Sequence, residues 1–313
     1  MTKVPEHRDV RTTPLRAGAP SQEIDPEKIS VSARRRAASR LIVALDTPDP
    51  SRIEHLCQEL KGLVGYFKIG LEPYCALGPR AIEIARKHGD VFLDLKLHDI
   101  PRTVEAAARE AARHGVGIVN VHALGGREMM RAALEGARSA LGGDRPIMLA
   151  VTVLTSLSSE NFTTLSTPVD PERFFSGKVP MYPQMSKYGP VRAIGSHICV
   201  GELALRLALD AKDAGLDGVV AAVDEVEAIK KACGPDFLVV APGIRPQGSD
   251  VGDQKRVATP GVAIELGADF LVVGRPIVQS PNPHAAAEKI VDEIARAIKD
   301  REREPPRTGR GSR

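Results

Sequence analysis

Three charged residues lie close together in the chain, Asp94, Lys96 and Asp99, within residues 91–103. This stretch begins as an apolar run typical of a buried strand and ends at a proline followed by a helix-like segment. Asp94 and Lys96 are two positions apart, a spacing that points both side chains to one face of a strand. A carboxylate and an ammonium placed together at a strand end are costly to bury unless they pair, so this charge pattern marks a candidate catalytic site. A structural ion pair fits the same pattern, because buried charges must be paired.

Eight short apolar segments, rich in β-branched residues, have the character of strands covered on both faces. They span residues 41–46, 66–70, 91–95, 117–122, 147–154, 218–222, 237–241 and 270–274. Helical patterns separate them, at residues 51–60, 79–88, 104–112, 127–141, 203–214, 226–232, 261–266 and 284–298. Thr103 is predicted to cap the third of these helices. This alternation predicts an α/β protein, a single-domain (β/α)8 TIM barrel over residues 40–298. A doubly wound open sheet is the alternative, although it would usually have fewer strands.

Polar side chains recur where the predicted strands end. They are Asp46, Lys68, Asp94, Lys96, Thr155, Arg245 and Arg275. Because barrel enzymes build their active sites at the carboxyl ends of the strands, this recurrence predicts a site there. A solvated loop charge is the alternative for any one of these residues taken alone.

The composition is that of an ordinary globular protein, with 42% hydrophobic and 27% charged residues. The sequence contains no apolar run of about 18 residues and no visible secretory signal, so we expect a cytoplasmic protein without a membrane partner. Four cysteines, Cys57, Cys75, Cys199 and Cys233, are widely scattered. We expect them to be reduced and mostly buried thiols.

The net charge of +3 is concentrated at the two ends of the chain. Residues 1–40 carry nine Lys/Arg and five Asp/Glu, a net charge of +4, and residues 299–313 carry six Lys/Arg and three Asp/Glu, a net charge of +3. The remaining residues, 41–298, therefore have a net charge of −4. A slightly acidic body is unfavourable for binding nucleic acid. We predict a mostly disordered N-terminal extension over residues 1–39, in which residues 34–36 begin a short helix on the barrel bottom, and a disordered basic tail over residues 299–313.

A long segment follows the fifth predicted strand and interrupts the regular alternation of strands and helices. Residues 158–200 form a predicted insertion, far longer than the usual connection from a strand to a helix. Its position places it on the active-site face. A lid or a dimer contact is one interpretation, and a surface excursion without a catalytic role is the other.

The run Asp94-Leu95-Lys96-Leu97-His98-Asp99-Ile100-Pro101 resembles the motif of the orotidine 5′-phosphate decarboxylase family. The similarity continues, in the order of the family, at residues 45–46, 67–70, 153–156, 242–245, 253–256 and 273–277. Related barrel enzymes such as hexulose-6-phosphate synthase, which would typically need Mg²⁺, share the Asp-Lys-Asp spacing without the Ile-Pro and are an alternative. A nucleotide-binding regulator without turnover is a further alternative.

The resemblance implies decarboxylation of orotidine 5′-monophosphate (OMP) to UMP in pyrimidine biosynthesis, without a cofactor or a metal. It implies that Lys96 protonates C6 of the pyrimidine and that Asp94 lies beside the substrate carboxylate. Lys68 would extend this charge network, and Asp99 would enter it across the interface of a homodimer with shared active sites. His98, inside the motif, is predicted to be a packing or interface residue, and His122 a core residue.

The resemblance also implies a set of substrate-binding residues. They are Asp46, Lys68, Ile100, Thr103, Thr155, Arg245, Gln254, Gly274 and Arg275. Asp46 and Lys68 would bind ribose hydroxyls, and Thr103 would approach the ribose from the partner chain. Thr155 or Ser156 would bind the pyrimidine. Gln254, Gly274 and Arg275 would hold the 5′-phosphate, with Arg245 beside them.

Overall fold

The computed structural model describes residues 29–140, 145–160, 199–246 and 258–303. Eight parallel strands form a closed barrel in chain order, and the last strand pairs with the first. The strands are β1 Leu41–Ala44, β2 Tyr66–Ile69, β3 Asp90–Leu97, β4 Ile118–His122, β5 Ile147–Val151, β6 Gly218–Val220, β7 Leu238–Ala241 and β8 Phe270–Val273. The predicted (β/α)8 barrel is therefore confirmed.

Helices connect the strands and surround the barrel. Those described are α1 Val31–Ala38, α2 Pro50–Glu59, α3 Leu71–Leu77, α4 Pro79–Arg86, α5 Pro101–Arg113, α6 Gly126–Ser139, α7 Val200–Asp213, α8 Val226–Cys233, α9 Pro260–Glu265, α10 Arg275–Val278 and α11 Pro283–Arg303. Short 3₁₀ turns, Ala123–Gly125 and Val223–Glu225, precede α6 and α8. Every helix predicted from the sequence is present, with its ends shifted by a few residues, whereas α3 and α10 were not predicted.

The prediction that Thr103 caps its helix was wrong. Helix α5 begins at Pro101 with the extended residue Ile100 as its N-cap, which places Thr103 inside the first turn. Proline is favoured at the first helical position because its fixed φ suits a helix and its missing N–H would have no partner there. The helix therefore starts two residues before the predicted cap.

The interior of the barrel is filled by apolar side chains at the amino-terminal side of the site. Ile42, Phe92, Ile118, Leu149 and Val240 form this inner cluster and are buried. A larger core lies between the strands and the helices. Because successive side chains of a strand point to opposite faces, Phe67 of β2 lies in that outer core, whereas its neighbour Tyr66 packs against the inner cluster.

The two ends of the described chain lie side by side. Helix α1 packs against α11, buries Ala37 and Ala38, and pairs Arg34 with Asp292 at 2.7 Å. A short helix is present here as predicted, but it begins at Val31 and not at residues 34–36. Its position on the barrel bottom stays a prediction. Helix α11 extends to Arg303, so residues 299–303 are helical and the predicted boundary at residue 298 was too early. Basic residues in a last helical turn are favourable, because they face the negative end of the helix dipole.

Other parts of the termini and of the insertion fall outside the described chain, at residues 1–28, 161–198 and 304–313. The predictions of disorder and of a lid or surface excursion concern mainly these residues. Within the ranges that the structure describes, no helix is both long and apolar enough to span a membrane.

The four cysteines are free, and they differ in exposure. Cys57 and Cys233 are buried, whereas Cys75 and Cys199 are exposed, so the prediction of mostly buried thiols holds for two of them. Burial raises the pKa of Cys57 to about 12. A thiol with so high a pKa is inert as a nucleophile.

Candidate active site

A cavity of about 430 Å³ opens at the carboxyl ends of the strands. Eight of the residues predicted for the site line it: Asp46, Lys68, Asp94, Lys96, Thr155, Arg245, Gly274 and Arg275. Its apolar lining includes Ala44, Phe92, Val151, Val220 and Val272. The volume is within the range of small-molecule sites, so the cavity can hold a ligand of that class.

The charged centre of the cavity is the carboxylate of Asp94. Its Oδ1 lies 2.7 Å from Lys96 Nζ, and its Oδ2 lies 3.2 Å from Lys68 Nζ. Lys68 Nζ also lies 3.4 Å from Asp46 Oδ1. The side chain of Lys68 is 10% exposed and that of Lys96 is 31% exposed. Lys68 is therefore the inner cation of the network, and Lys96 presents its ammonium to the cavity.

Pairing decides the protonation states of the two buried members. Burial alone would lower the pKa of Lys68, but the carboxylates of Asp94 and Asp46 outweigh it and raise that pKa. Burial alone would raise the pKa of Asp94, but Lys68 and Lys96, with a hydrogen bond from Asn120, hold it below its usual range. Lys68 and Asp94 therefore remain an ionised pair.

Glycine at position 70 leaves room for this network. A Cβ atom there would lie 3.1 Å from Lys68 Nζ and 3.3 Å from Asp46 Oδ1. These distances are shorter than ordinary van der Waals contact, so a side chain would press on the ion pair between Lys68 and Asp46.

Asp94 and Lys96 meet across a bulged part of β3. Leu93 pairs with Val119 and Leu97 with Val121, so β3 advances four residues where β4 advances two. Lys96 has φ 51°, in the left-handed region. The predicted contact of the two side chains is present, but the regular strand from which it was predicted is absent there.

Asn120 lies opposite this bulge on β4 and is fully buried. Its Nδ2 donates a hydrogen bond of 2.6 Å to Asp94 Oδ1, and its Oδ1 accepts one of 2.8 Å from the backbone N–H of Lys96. This residue was not predicted from the sequence. The available indication was a single amide inside an otherwise apolar run of β4.

Two arginines lie on another part of the cavity lining. Arg245 follows β7, is 8% exposed, and donates its backbone N–H to Ala258 at 2.9 Å. Arg275 begins α10 directly after Gly274. Gln279, at the end of the same short helix, also lines the cavity and was not predicted. Gln254 lies outside the described residues.

The structure separates Thr155 from Ser156. Thr155 lines the cavity, whereas Ser156 is exposed and does not line it. Thr155 is therefore the better placed of the two to meet a ligand.

Asp99, Ile100 and Thr103 are not brought to this cavity. All three are exposed and lie beyond the end of β3 or in the first turn of α5. Asp99 Oδ1 accepts the backbone N–H of Ile100 at 2.7 Å. Ile100 is 66% exposed, and Leu124, in the 3₁₀ turn before α6, is 49% exposed.

His98 and His122 stack on each other, with ring centroids 5.3 Å apart and an interplanar angle of 18°. His122 Nδ1 accepts the backbone N–H of Leu124 at 3.3 Å. Burial, with the charges of His98 and Lys96, lowers the pKa of His122. His122 is half-buried, so it does not lie in the core as predicted, whereas its stacking on the exposed His98 agrees with the packing role predicted for His98. Throughout the described ranges, no group of three or more His, Cys, Asp or Glu residues is arranged to hold a metal ion.

A closed barrel with an ionic cavity at the carboxyl ends of its strands has the architecture of the (β/α)8-barrel enzymes. The sequence matches the Orotidine 5′-phosphate decarboxylase / HUMPS family over residues 39–170 and 195–290, and the chain belongs to that family. The unmatched residues 171–194 lie inside the predicted insertion.

Two curated relatives named Orotidine 5′-phosphate decarboxylase illustrate the similarity. The one from Trichlorobacter lovleyi is 43% identical, over 85% of this chain and 99% of the relative. The one from Moorella thermoacetica is 45% identical, over 83% of this chain and 94% of the relative. A crystal structure of Orotidine 5′-phosphate decarboxylase from Lactobacillus acidophilus is 33% identical, with a TM-score of 0.64, and the match covers 81% of this chain and 98% of that one.

Proposed function

We propose that this protein decarboxylates OMP to UMP and carbon dioxide, a step of de novo pyrimidine biosynthesis, without a cofactor. The observation that carries the proposal is the contact of 2.7 Å between Lys96 Nζ and Asp94 Oδ1 inside the cavity. It is supported by family membership and by relatives of that name at 42–45% identity.

The reaction requires stabilisation of a carbanion. When the bond between C6 and the carboxylate breaks, carbon dioxide leaves and its bonding electron pair stays on C6, where the ring offers no conjugated sink. Fixed charges and accurate positioning can lower the energy of such a state. The Lys96 ammonium stabilises the electron pair, transfers a proton to C6, and recovers a proton from solvent.

Asp94 has two roles in this proposal. It lies beside the departing carboxylate of the substrate, and it holds the Lys96 ammonium in place through their contact of 2.7 Å. Lys68 balances the charge of Asp94 from the inner side, at 3.2 Å. The network therefore positions the Lys96 ammonium in the cavity before substrate arrives.

The rest of the cavity provides binding. Asp46 and Lys68 bind ribose hydroxyls, and Thr155 binds the pyrimidine. Gln254, Gly274 and Arg275 hold the 5′-phosphate, with Arg245 beside them, and a guanidinium can bind phosphate through two parallel hydrogen bonds. Binding energy from this remote group can be used to fix the reacting carbon against Lys96.

The proposal includes a homodimer with shared active sites. Asp99, Ile100 and Thr103 serve the site of the partner subunit, with Asp99 joining the charge network and Thr103 approaching the ribose. Their exposure, and their position outside the cavity of their own chain, support this arrangement. The exposed apolar side chains of Ile100 and Leu124 suit burial in a subunit contact.

The decisive experiment is a decarboxylation assay in EDTA. We expect OMP absorbance to fall and UMP and carbon dioxide to appear in equal amounts. Activity only with Mg²⁺ and a pentulose or hexulose phosphate would instead indicate a hexulose-6-phosphate synthase type of enzyme. Binding of UMP by calorimetry without release of carbon dioxide would indicate a regulator without turnover.

A further inference from the structure

Asn120 connects the two central residues of the charge network. Its side chain touches the carboxylate of Asp94 and the backbone of Lys96, at 2.6 and 2.8 Å. It is fully buried and does not line the cavity. Asn120 therefore does not contact substrate directly, and any effect on the reaction passes through its two partners.

The chemistry of the partners fixes which way the amide faces. A carboxylate can only accept hydrogen bonds, and a backbone N–H can only donate one. The Asn120 NH₂ must therefore face Asp94, and its oxygen must face Lys96. A neutral side chain that is a donor at one end and an acceptor at the other is required here.

The backbone at Lys96 needs such a partner. Its left-handed conformation, φ 51°, is unfavourable for a residue with a Cβ, because the Cβ approaches the following carbonyl oxygen. The regular pairing of β3 with β4 is interrupted between Leu93 and Leu97. The Asn120 oxygen supplies the acceptor for the Lys96 N–H inside that interruption, and its NH₂ fixes the carboxylate to which the Lys96 ammonium is bound.

We propose that Asn120 is a positioning residue that links the Asp94 carboxylate to the Lys96 backbone and thereby aims the Lys96 ammonium at the reacting carbon. The proposal rests on the decarboxylase function proposed above. According to this inference, a buried residue on β4 helps to determine the rate of proton transfer from Lys96.

Replacing the amide tests this role. Asn120→Ala removes both hydrogen bonds, and we expect kcat to fall on the order of 100-fold, because misplacement by about 1 Å can have that effect. We expect KM to change by less than about threefold, because the phosphate and ribose contacts are untouched.

Thr152→Val is the matched control. Thr152 is fully buried on the adjacent part of the barrel, its hydroxyl donates to the Val220 carbonyl at 3.2 Å, and it does not line the cavity. The Thr152→Val substitution removes a buried hydrogen bond and leaves the contacts of Lys68, Asp94 and Lys96 unchanged. We expect its kcat to remain within about twofold of wild type.

Asn120→Asp gives a readout that a space-filling role would not produce. A protonated Asp reproduces the amide, since its hydroxyl can donate to Asp94 while its other oxygen accepts from Lys96 N–H. An ionised Asp repels Asp94. The charged or titratable groups around this position are Asp94 and Lys96 on β3, Lys68 on β2 and His122 on β4.

A carboxyl beside the Asp94 carboxylate has a raised pKa, and its protonated form is the active one. We therefore expect the ratio of the Asn120→Asp kcat to the wild-type kcat to rise as pH is lowered from about 8 to about 5. A ratio that stays constant with pH would contradict the positioning role, and so would a kcat for Asn120→Ala within about threefold of wild type.

The test separates this inference from the proposed function. A wild-type protein without decarboxylase activity would contradict the function, and crystal structures of the variants would then decide the role of Asn120. Loss of the left-handed Lys96 conformation, or of its contact with Asp94, in Asn120→Ala supports the inference. An unchanged Lys96 in that variant overturns it. If Asn120→Ala does not fold, the nearly isosteric Asn120→Asp protein at high and low pH provides the same comparison.

Discussion

Lys68 and Lys96 contact different oxygens of one buried carboxylate, that of Asp94. The Lys68 contact is 3.2 Å long and the Lys96 contact is 2.7 Å long. Lys68 is nearly enclosed, whereas almost a third of the Lys96 side chain is exposed towards the cavity. The two lysines therefore have different tasks. Lys68 compensates the buried charge, and Lys96 is available to a ligand.

Lys96→Ala should abolish turnover while UMP binding persists, because the proposed proton donor is lost and the residues proposed to bind the phosphate remain. The measurements are the decarboxylation assay and calorimetry with UMP. Lys87→Ala is the control, since that lysine is 63% exposed and pairs with Glu54 away from the cavity. Activity of Lys96→Ala above about a tenth of wild type would overturn the assigned role.

Lys68→Met should destabilise the protein by about 3 kcal/mol at neutral pH, because removing one partner leaves the Asp94 carboxylate buried without its inner cation. Urea unfolding at several pH values measures this effect. Lys61→Met, at an exposed lysine, is the control and should change the free energy of unfolding by less than about 0.5 kcal/mol.

The pH dependence of that loss has a definite sign. In the wild type the pKa of Asp94 is lowered, so its contribution to stability is present above the unfolded-state pKa and is lost as pH falls through the folded-state pKa. Without Lys68 the pKa of Asp94 rises. The destabilisation should therefore be largest near neutral pH and diminish on acidification, and a destabilisation that grows on acidification would contradict the pairing.

The barrel could be predicted from the sequence because its rules are local. Short apolar runs alternate with amphipathic segments along the whole chain, and a parallel sheet of eight such units closes into a barrel. The same rule placed Asp46, Lys68 and Arg275 at one end, since every strand of a parallel barrel ends on the same side. All three line the cavity.

The bulge that positions Lys96 could not be predicted in this way. No glycine marks the left-handed residue, and the conformation is stabilised by Asn120, 24 residues further along the chain. The contact depends on how β3 and β4 align, which no local pattern specifies. The start of α5 was missed for a different reason, because Thr103 as a cap and Pro101 as a first residue are competing local preferences.

The thiols should react in two classes. Exposed Cys75 and Cys199 should be alkylated at neutral pH in the native protein, whereas Cys57, with its pKa raised to about 12, and buried Cys233 should be protected. Mass spectrometry of peptides labelled before and after denaturation measures this difference. Rapid labelling of Cys57 in the native protein would contradict the burial of this thiol on α2.

Mixing two inactive variants tests the shared active site. In a dimer of one Asp99→Ala chain and one Lys96→Ala chain, one site would contain both an intact Lys96 and an intact Asp99 from the partner, and the other site would lack both. Random mixing makes half of the dimers mixed, so we expect about a quarter of wild-type activity. Asp94→Ala mixed with Lys96→Ala is the matched control. Asp94 and Lys96 meet within one chain, so every site in that mixture keeps one defect and activity should not recover. Mixed Asp99→Ala and Lys96→Ala dimers, verified by mass, that remain inactive would show that Asp99 does not complete the site of its partner.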